Sequence, residues 1–260
     1  VALEQAKAKT EEEVFTDPKK EKKYYQYMDS TYIPMAGHEE SGKYKKGIED
    51  YVSTSQYTTE EHQRAVVSDV IEHWNTYSHN SKFHAIFATS SITEAIKYYQ
   101  LFKEMKPSLR VTCLFDPNID NKGGFEYKEE GLKEILDDYY KLYGSKYDMA
   151  KHAEFKKDVA FRLAHKEYHK GIERTPEKQL DLLIVVDQML TGFDSKWVNT
   201  LYLDKVIEYE SIIQAFSRTN RLFGNDKPFG VIRYYRKTNT MARNIKDAVK
   251  LYSGDKPLEL

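Results

Sequence analysis

The apolar positions of this chain change their rhythm near residue 58. Residues 1 to 57 open with charge (Glu11, Glu12, Glu13, Lys19, Lys20, Lys22, Lys23) and run on through Tyr-rich stretches without a sustained apolar period. Hydrophobicity this low predicts extended or partly ordered backbone. Beyond that point Ala65, Val66, Val70, Ile71 and Trp74 fall at helical spacing and predict a helix from Thr59 to Tyr77. An alternation follows. Phe83 to Ala88 reads as a strand, Ile92 to Met105 as a helix ended by Pro107, and Arg110 to Phe115 as a second strand. Asp116 to Glu177 is a long charged and aromatic region with helical periodicity at Gly131 to Tyr143 and Met149 to Tyr168. The third strand, Leu182 to Val186, is apolar at every position, which suits burial on both faces. Thr200 to Leu203 and Gly230 to Tyr234 read as further strands, with helices at Ile207 to Leu222 and from about Thr240. Strands alternating with helices predict an α/β fold, a parallel sheet sandwiched by helices.

Composition narrows the class. At 260 residues there is room for one large domain or two small ones. Forty Lys and Arg against 41 Asp and Glu leave a net charge of −1, which excludes a histone-like chain or an acidic tail. The single cysteine, Cys113, cannot make an internal disulfide or a thiolate zinc site, and in an apolar strand it reads as packing. No apolar run approaches the roughly 20 residues of a membrane span. A cytoplasmic protein with no membrane partner is therefore expected, and a chain that begins at Val reads as part of something longer.

Three groupings look like chemistry and do not hold. Gly37 to Lys43 has the spacing of a phosphate-binding P-loop, but the next residue is Tyr44 rather than a Ser or Thr for magnesium, Glu39 and Glu40 put two carboxylates into the loop, and no apolar strand precedes it. Asp116 with Glu126-Tyr127-Lys128 resembles a nuclease constellation. Glu-x-Lys also occurs at Glu104 and Glu154, however, and this copy lies beside Gly123-Gly124, so a solvated loop is expected. His165 and His169 share a helix face without a third ligand and read as surface histidines.

The strongest signal is Gln214-Ala-Phe-Ser-Arg218-Thr-Asn-Arg221. On a continuous helix Gln214, Arg218 and Arg221 would lie within about 60° of one another, with Ile212, Phe216 and Phe223 opposite. Two guanidinium groups on one face suit a phosphate site, although an amphipathic helix with surface arginines has the same pattern. Upstream, the buried strand 182–186 runs into a loop holding Asp187, Thr191, Gly192 and Asp194, and ligands of open α/β sheets bind beyond the carboxyl ends of strands. Earlier still, Thr89 and Ser90 precede a helix whose start, Ser91-Ile-Thr-Glu94, is a capping box, a good seat for a backbone phosphate.

In this order the three elements resemble motifs IV, V and VI of the second RecA-like domain of superfamily 2 helicases. Leu190-Thr191-Gly192-Phe193-Asp194, Asn199 to Lys205 and Gln214 to Arg221 are similar to the restriction (R) subunit of type I restriction-modification enzymes. Ala215, Ser217 and Asn220 depart from the general superfamily form in the direction of those subunits. The resemblance is tight over Asp181 to Phe223 and moderate over Phe83 to Phe115. It implies an ATP-driven translocase of double-stranded DNA that works with modification and specificity subunits. ATP and Mg2+ would be bound mostly by a first RecA-like domain of the same chain. It further implies an arginine finger at Arg221, a second γ-phosphate contact at Arg218, orientation by Gln214, coupling through Gly192 and Asp194, and DNA phosphate contacts at Thr89, Ser90 and Thr191. No metal ligand is implied here.

The expected division is a polar linker or end of a preceding motor domain over 1–57, a RecA-like domain over 58–237 with a helical insertion over about 116–177, and the start of a helical region over 238–260. Nine basic residues against two acids from Arg218 to Lys250 give a local +7, a plausible footprint for DNA. Another superfamily 2 motor, or a catalytically inert RecA-like module that binds protein partners, is the competing reading.

Overall fold

Strands form where the apolar runs predict them, and the departures fall where polar side chains take over. The computed structural model describes residues 1–116, 125–186 and 194–253. The chain divides into two compact units, one of residues 60–236 and one that joins 1–59 to the segment from 237 onward.

In the latter unit the expectation of extended or partly ordered chain is not met. Helices α1 (Ala2–Gln5), α2 (Glu11–Val14) and α3 (Pro18–Met28) gather Ala2, Ala6, Val14 and Tyr24 into a small core, with Leu3, Ala8 and Tyr27 against it. A few apolar residues suffice because all are spent at one place. Capping does the rest: the Asp17 carboxylate accepts from Lys19 N at 2.8 Å, and Pro18 opens α3. The P-loop-spaced segment is an exposed hairpin, with β1 (His38–Glu40) antiparallel to β2 (Lys43–Lys45). Ser41 and Gly42 turn it at φ of +53° and +71°, as a two-residue hairpin requires.

The larger unit comprises α4 (Glu60–Tyr77), β3 (His84–Thr89), α5 (Ile92–Met105), β4 (Val111–Leu114), α6 (Phe125–Tyr143), α7 (His152–Ala164), β5 (Leu182–Val185), β6 (Val198–Asp204), α8 (Tyr209–Phe216) and β7 (Val231–Tyr234). Its sheet has the order β4-β5-β3-β6-β7, and every neighbouring pair is parallel. Ile86, Phe87, Ile184, Leu201 and Tyr202 are wholly buried. Phe87 meets the rings of Tyr98 at 4.7 Å and Phe102 at 5.8 Å, which locks α5 to the sheet. This is a mixed α/β fold, a parallel sheet flanked by helices, consistent with a RecA-like fold with helical extensions.

Helices α6 and α7 lie in the connection from β4 to β5. Between them the buried Asp158 carboxylate accepts from Tyr139 Oη at 2.6 Å and lies 2.6 Å from His169 Nε2, while Arg162 stacks 3.8 Å over the Tyr143 ring. Burial raises the Asp158 pKa, but the His169 and Tyr139 hydrogen bonds outweigh it and hold it at about 2. Glu126 to Lys128 belongs to α6 rather than to a solvated loop, and Lys128 is buried.

The last helix, α9 (Thr238–Ser253), belongs to the smaller unit. Its free N–H groups are taken by Glu49, whose carboxylate accepts from Asn239 N at 2.9 Å and Thr240 N at 2.7 Å. Burial opposes ionisation of Glu49, yet these bonds hold its pKa below the usual carboxylate range.

Candidate functional site

The helix expected to run to Leu222 stops at Phe216, so Gln214, Arg218 and Arg221 do not share one continuous helix face. The side chains that follow end it. Ser217 Oγ donates to the Gln214 carbonyl at 2.7 Å, Arg218 Nε to the same oxygen at 3.1 Å, and Thr219 Oγ1 to the Phe216 carbonyl at 3.2 Å. Ser and Thr compete with the helical ladder in this way. Beyond them the backbone of Thr219 passes so close to Gly230 that a Cβ on Gly230 would lie 2.5 Å from its carbonyl oxygen.

Arg218 and Arg221 still come together, by another route. Arg221 Nε donates to Asp194 Oδ1 at 2.9 Å, joining the segment before β6 to the loop after α8. Both side chains are more than half exposed. Burial lowers the Arg218 pKa; the charge of Asp194 opposes this and that of Arg221 adds to it, so all three groups lie within electrostatic reach. Gln214 turns its amide to Glu210, Nε2 to Oε1 at 2.6 Å. Gly192 and Thr191 lie outside the described residues.

The pair Thr89 and Ser90 divides. Thr89 is wholly buried, its hydroxyl donating to the Ser91 carbonyl at 3.1 Å, which takes it away from any ligand in solution. Ser90 is exposed, and its hydroxyl accepts from Arg236 Nη1 at 3.2 Å. Behind it lies a buried polar network that pattern reading missed. The Asp204 carboxylate at the end of β6 accepts from Tyr98 Oη at 2.7 Å and from Arg236 Nε and Nη2 at 3.0 and 2.7 Å, with His62 Nε2 at 2.9 Å. Arg236 Nη2 also donates to Glu94 at 2.9 Å. The one available signal was an aspartate closing the apolar run Leu201-Tyr202-Leu203.

Two more buried groups were invisible to spacing. Lys227 is fully buried, its ammonium donating to the carbonyls of Lys196 at 3.3 Å and Val198 at 2.7 Å, and burial draws its pKa down to about 8. His165 is no surface histidine. It stacks on Trp197 at 4.0 Å, lies 2.7 Å from His84 Nε2 through its own Nε2, and reaches Glu173 at 3.2 Å. Burial, reinforced by the charges of His165 and Arg110, takes the His84 pKa down to about 3, and burial lowers that of His165 as well. A base whose folded pKa is depressed contributes stability that is present above its unfolded pKa and lost as pH falls toward the folded one. Stability should therefore drop from about pH 6.5 downward, by up to ~1.4 kcal/mol per pH unit for each such histidine. Urea melts between pH 7 and 5 would check this. A His84→Phe slope equal to that of the natural chain would refute it.

The basic stretch from Arg218 to Lys250 is much less of a surface footprint than its charge suggests. Lys227 and Arg236 are buried, Arg233 forms a bidentate pair with Asp69 at 2.8 and 2.9 Å, and Arg221 is paired with Asp194. Among the described residues no group of three or more His, Cys, Asp or Glu side chains converges to hold a metal ion, and none of the helices is long and apolar enough to cross a membrane.

Fold and site together define a parallel α/β domain that carries a pair of arginines on a loop tied to the segment ahead of β6. Residues 81–237 match the family described as type I restriction enzyme subunit R domain 3. The chain belongs to that family. It is 34% identical over 196 residues to the type I restriction enzyme SauCOLORF180P endonuclease subunit of Staphylococcus aureus (strain COL), covering 72% of this chain and 20% of that protein. It is 32% identical over 215 residues to the SsaAORF53P endonuclease subunit of Staphylococcus saprophyticus, covering 79% and 22%. A shorter match, 44% over 70 residues, is to the N-terminal part of a putative endonuclease subunit, MpnIIP, of Mycoplasma pneumoniae, covering 27% and 18%. The chain thus spans about a fifth of the length of these relatives.

Proposed function

We propose that residues 58–237 are the second RecA-like motor domain of a type I restriction R subunit, an ATP-driven translocase of double-stranded DNA that works with modification and specificity subunits. The observation that carries this reading is the Asp194–Arg221 pair, which brings together the two sequence elements that resemble motifs V and VI and holds a guanidinium at the surface. In this reading Arg221 is the arginine finger toward an ATP bound chiefly by the first RecA-like domain, and Arg218 is a second γ-phosphate contact. Planar, permanently charged forks suit phosphoryl oxygens. Gln214, Gly192 and Asp194 belong to the same nucleotide-facing group. In this reading the Mg2+ that accompanies ATP is bound mostly by the first RecA-like domain.

Ser90 and Thr191 are the DNA phosphate contacts of this reading, and the buried Thr89 hydroxyl supports the turn that presents Ser90. In this reading a helical insertion spans about 116–177, with α6 and α7 as its described helices; 1–57 are a linker or the end of the preceding motor domain, and 238–260 begin a following helical region. Localisation is cytoplasmic.

A half-site should not turn over. The purified 260-residue chain is expected to show no ATP hydrolysis, with or without DNA, in a phosphate-release assay. Hydrolysis abolished by Lys43→Ala would overturn the assignment and return the chemistry to the 37–43 segment.

A further inference from the structure

Beside Arg221 the larger unit contains a cavity of about 450 Å³ that the arginine constellation does not account for. Its walls come from stretches far apart in the chain. Lys166, Lys170 and Glu173 follow α7, Asp194 to Trp197 lead into β6, and Arg221 closes one side. The sequence resemblance gives the first of these stretches no role.

The cavity is built rather than incidental. Ser195, itself buried, donates from Oγ to the Leu163 carbonyl at 2.9 Å and accepts from Trp197 N at 3.0 Å, so the end of α7 is stapled to the start of β6. His165 ends α7 in a left-handed conformation, φ +52°, and is held there by its stack on Trp197. Glu167 and Gly171 are also left-handed, at φ +50° and +81°. Non-glycine residues in that region cost about 1–3 kcal/mol each and persist only when packing over-determines them. These bends wrap the 165–171 segment around the cavity.

Its charge is unbalanced. The two acids of the lining are engaged, Asp194 with Arg221 and Glu173 with His165. Lys196 lies 4.6 Å over the Phe223 ring, which leaves its charge uncancelled. Lys166 and Lys170 are both exposed and form no salt bridge among the described residues. Four cations against two anions around a cavity of about 450 Å³ suit a small phosphorylated anion.

We propose that this cavity is a phosphate subsite for the nucleotide. Lys166 and Lys170, from the insertion, and Lys196 bind the phosphate chain of the ATP whose terminal phosphoryl group Arg221 contacts. The inference rests on the arginine-finger reading and extends it. The lysines supply charge in ground state and transition state alike, so they affect affinity, whereas Arg221 affects turnover.

The test is steady-state ATPase of the full-length R subunit in its complex with the modification and specificity subunits and DNA. Lys166→Ala/Lys170→Ala should raise KM for ATP about tenfold, as expected for losing one or two charge-assisted contacts, with kcat within about twofold and Lys166→Arg/Lys170→Arg restoring KM. Both residues are exposed, and an unchanged melting temperature would confirm the fold. An unchanged KM for ATP overturns the subsite, and if half-saturation by DNA rises instead, the lysines serve the DNA backbone. Arg221→Ala in the same assay separates the two ideas. Turnover lost with Arg221→Ala but KM untouched by the lysine pair removes only the subsite, whereas full turnover with Arg221→Ala removes the arginine-finger reading.

Discussion

Arg221→Ala in the full-length R subunit is expected to lower DNA-stimulated ATP turnover on the order of 10³-fold or more, the scale of an arginine finger, with little change in stability. The second half follows from geometry. The Asp194–Arg221 pair is more than half exposed on both sides, and exposed pairs contribute about 0–1 kcal/mol. A side chain that stabilises so little can be removed without unfolding the domain, so a loss of turnover would report on chemistry. Arg218→Ala should also lower turnover, although Arg218 is half-buried and bonded to the Gln214 carbonyl, so that variant carries a modest stability cost as well. Arg221→Lys should not rescue, because an ammonium keeps the charge but loses the planar fork. Turnover within about twofold of the natural subunit for Arg221→Ala would sink the finger assignment and favour a domain that only binds partners.

Breaking the Asp204 network should have the opposite signature. Asp204 is wholly buried and accepts four hydrogen bonds, counting that of His62. Burial alone would raise its pKa, but the bonds from His62 and Arg236, with the Arg236 charge, hold it below the usual carboxylate range. Removing one partner of a buried ion pair costs about 3–5 kcal/mol, because the other charge is left uncompensated. Asp204→Ala leaves Arg236 with Glu94 as its remaining carboxylate and Tyr98 Oη without its acceptor, and should lower the melting temperature by roughly 10 °C, at ~2–4 °C per kcal/mol for a domain of this size. The double variant Asp204→Leu/Arg236→Met should lose less than the sum of the singles, because the two groups face each other. Calorimetry on Asp204→Ala, on Asp204→Leu and Arg236→Met singly, and on the double variant decides it. A single variant that melts within about 2 °C of the natural chain would mean that water reaches the network.

These two sites also show what pattern reading can and cannot recover. Helix α5 has the boundaries that Ser91, the apolar period and Pro107 predict, since each of those signals is local. Strand β5 is legible for a similar reason: four apolar residues in a row can only be buried. The end of α8 was not legible. Helical spacing continues through Ser217, Arg218 and Thr219, and only their bonds back to the carbonyls of Gln214 and Phe216 stop the helix. The arginines nonetheless reach one place because Asp194, 27 residues earlier, collects Arg221. His165 was misread because what buries it, Trp197 and His84, is remote in sequence. The basic run was overvalued for the converse reason, since Lys227 and Arg236 spend their charge inside the fold.

The place of the β4-to-β5 connection has a consequence for how this domain can vary. Strand β4 is at the edge of the sheet and β5 is its immediate neighbour. The chain therefore leaves and re-enters at the periphery, and everything between, α6 and α7 included, can lengthen or shorten without reordering a strand. One point in that excursion is not free to drift, because Ser195 holds the carbonyl of Leu163. Relatives with longer or shorter excursions would preserve the loop that bears Arg221 as long as a turn of helix still delivers a carbonyl to that hydroxyl.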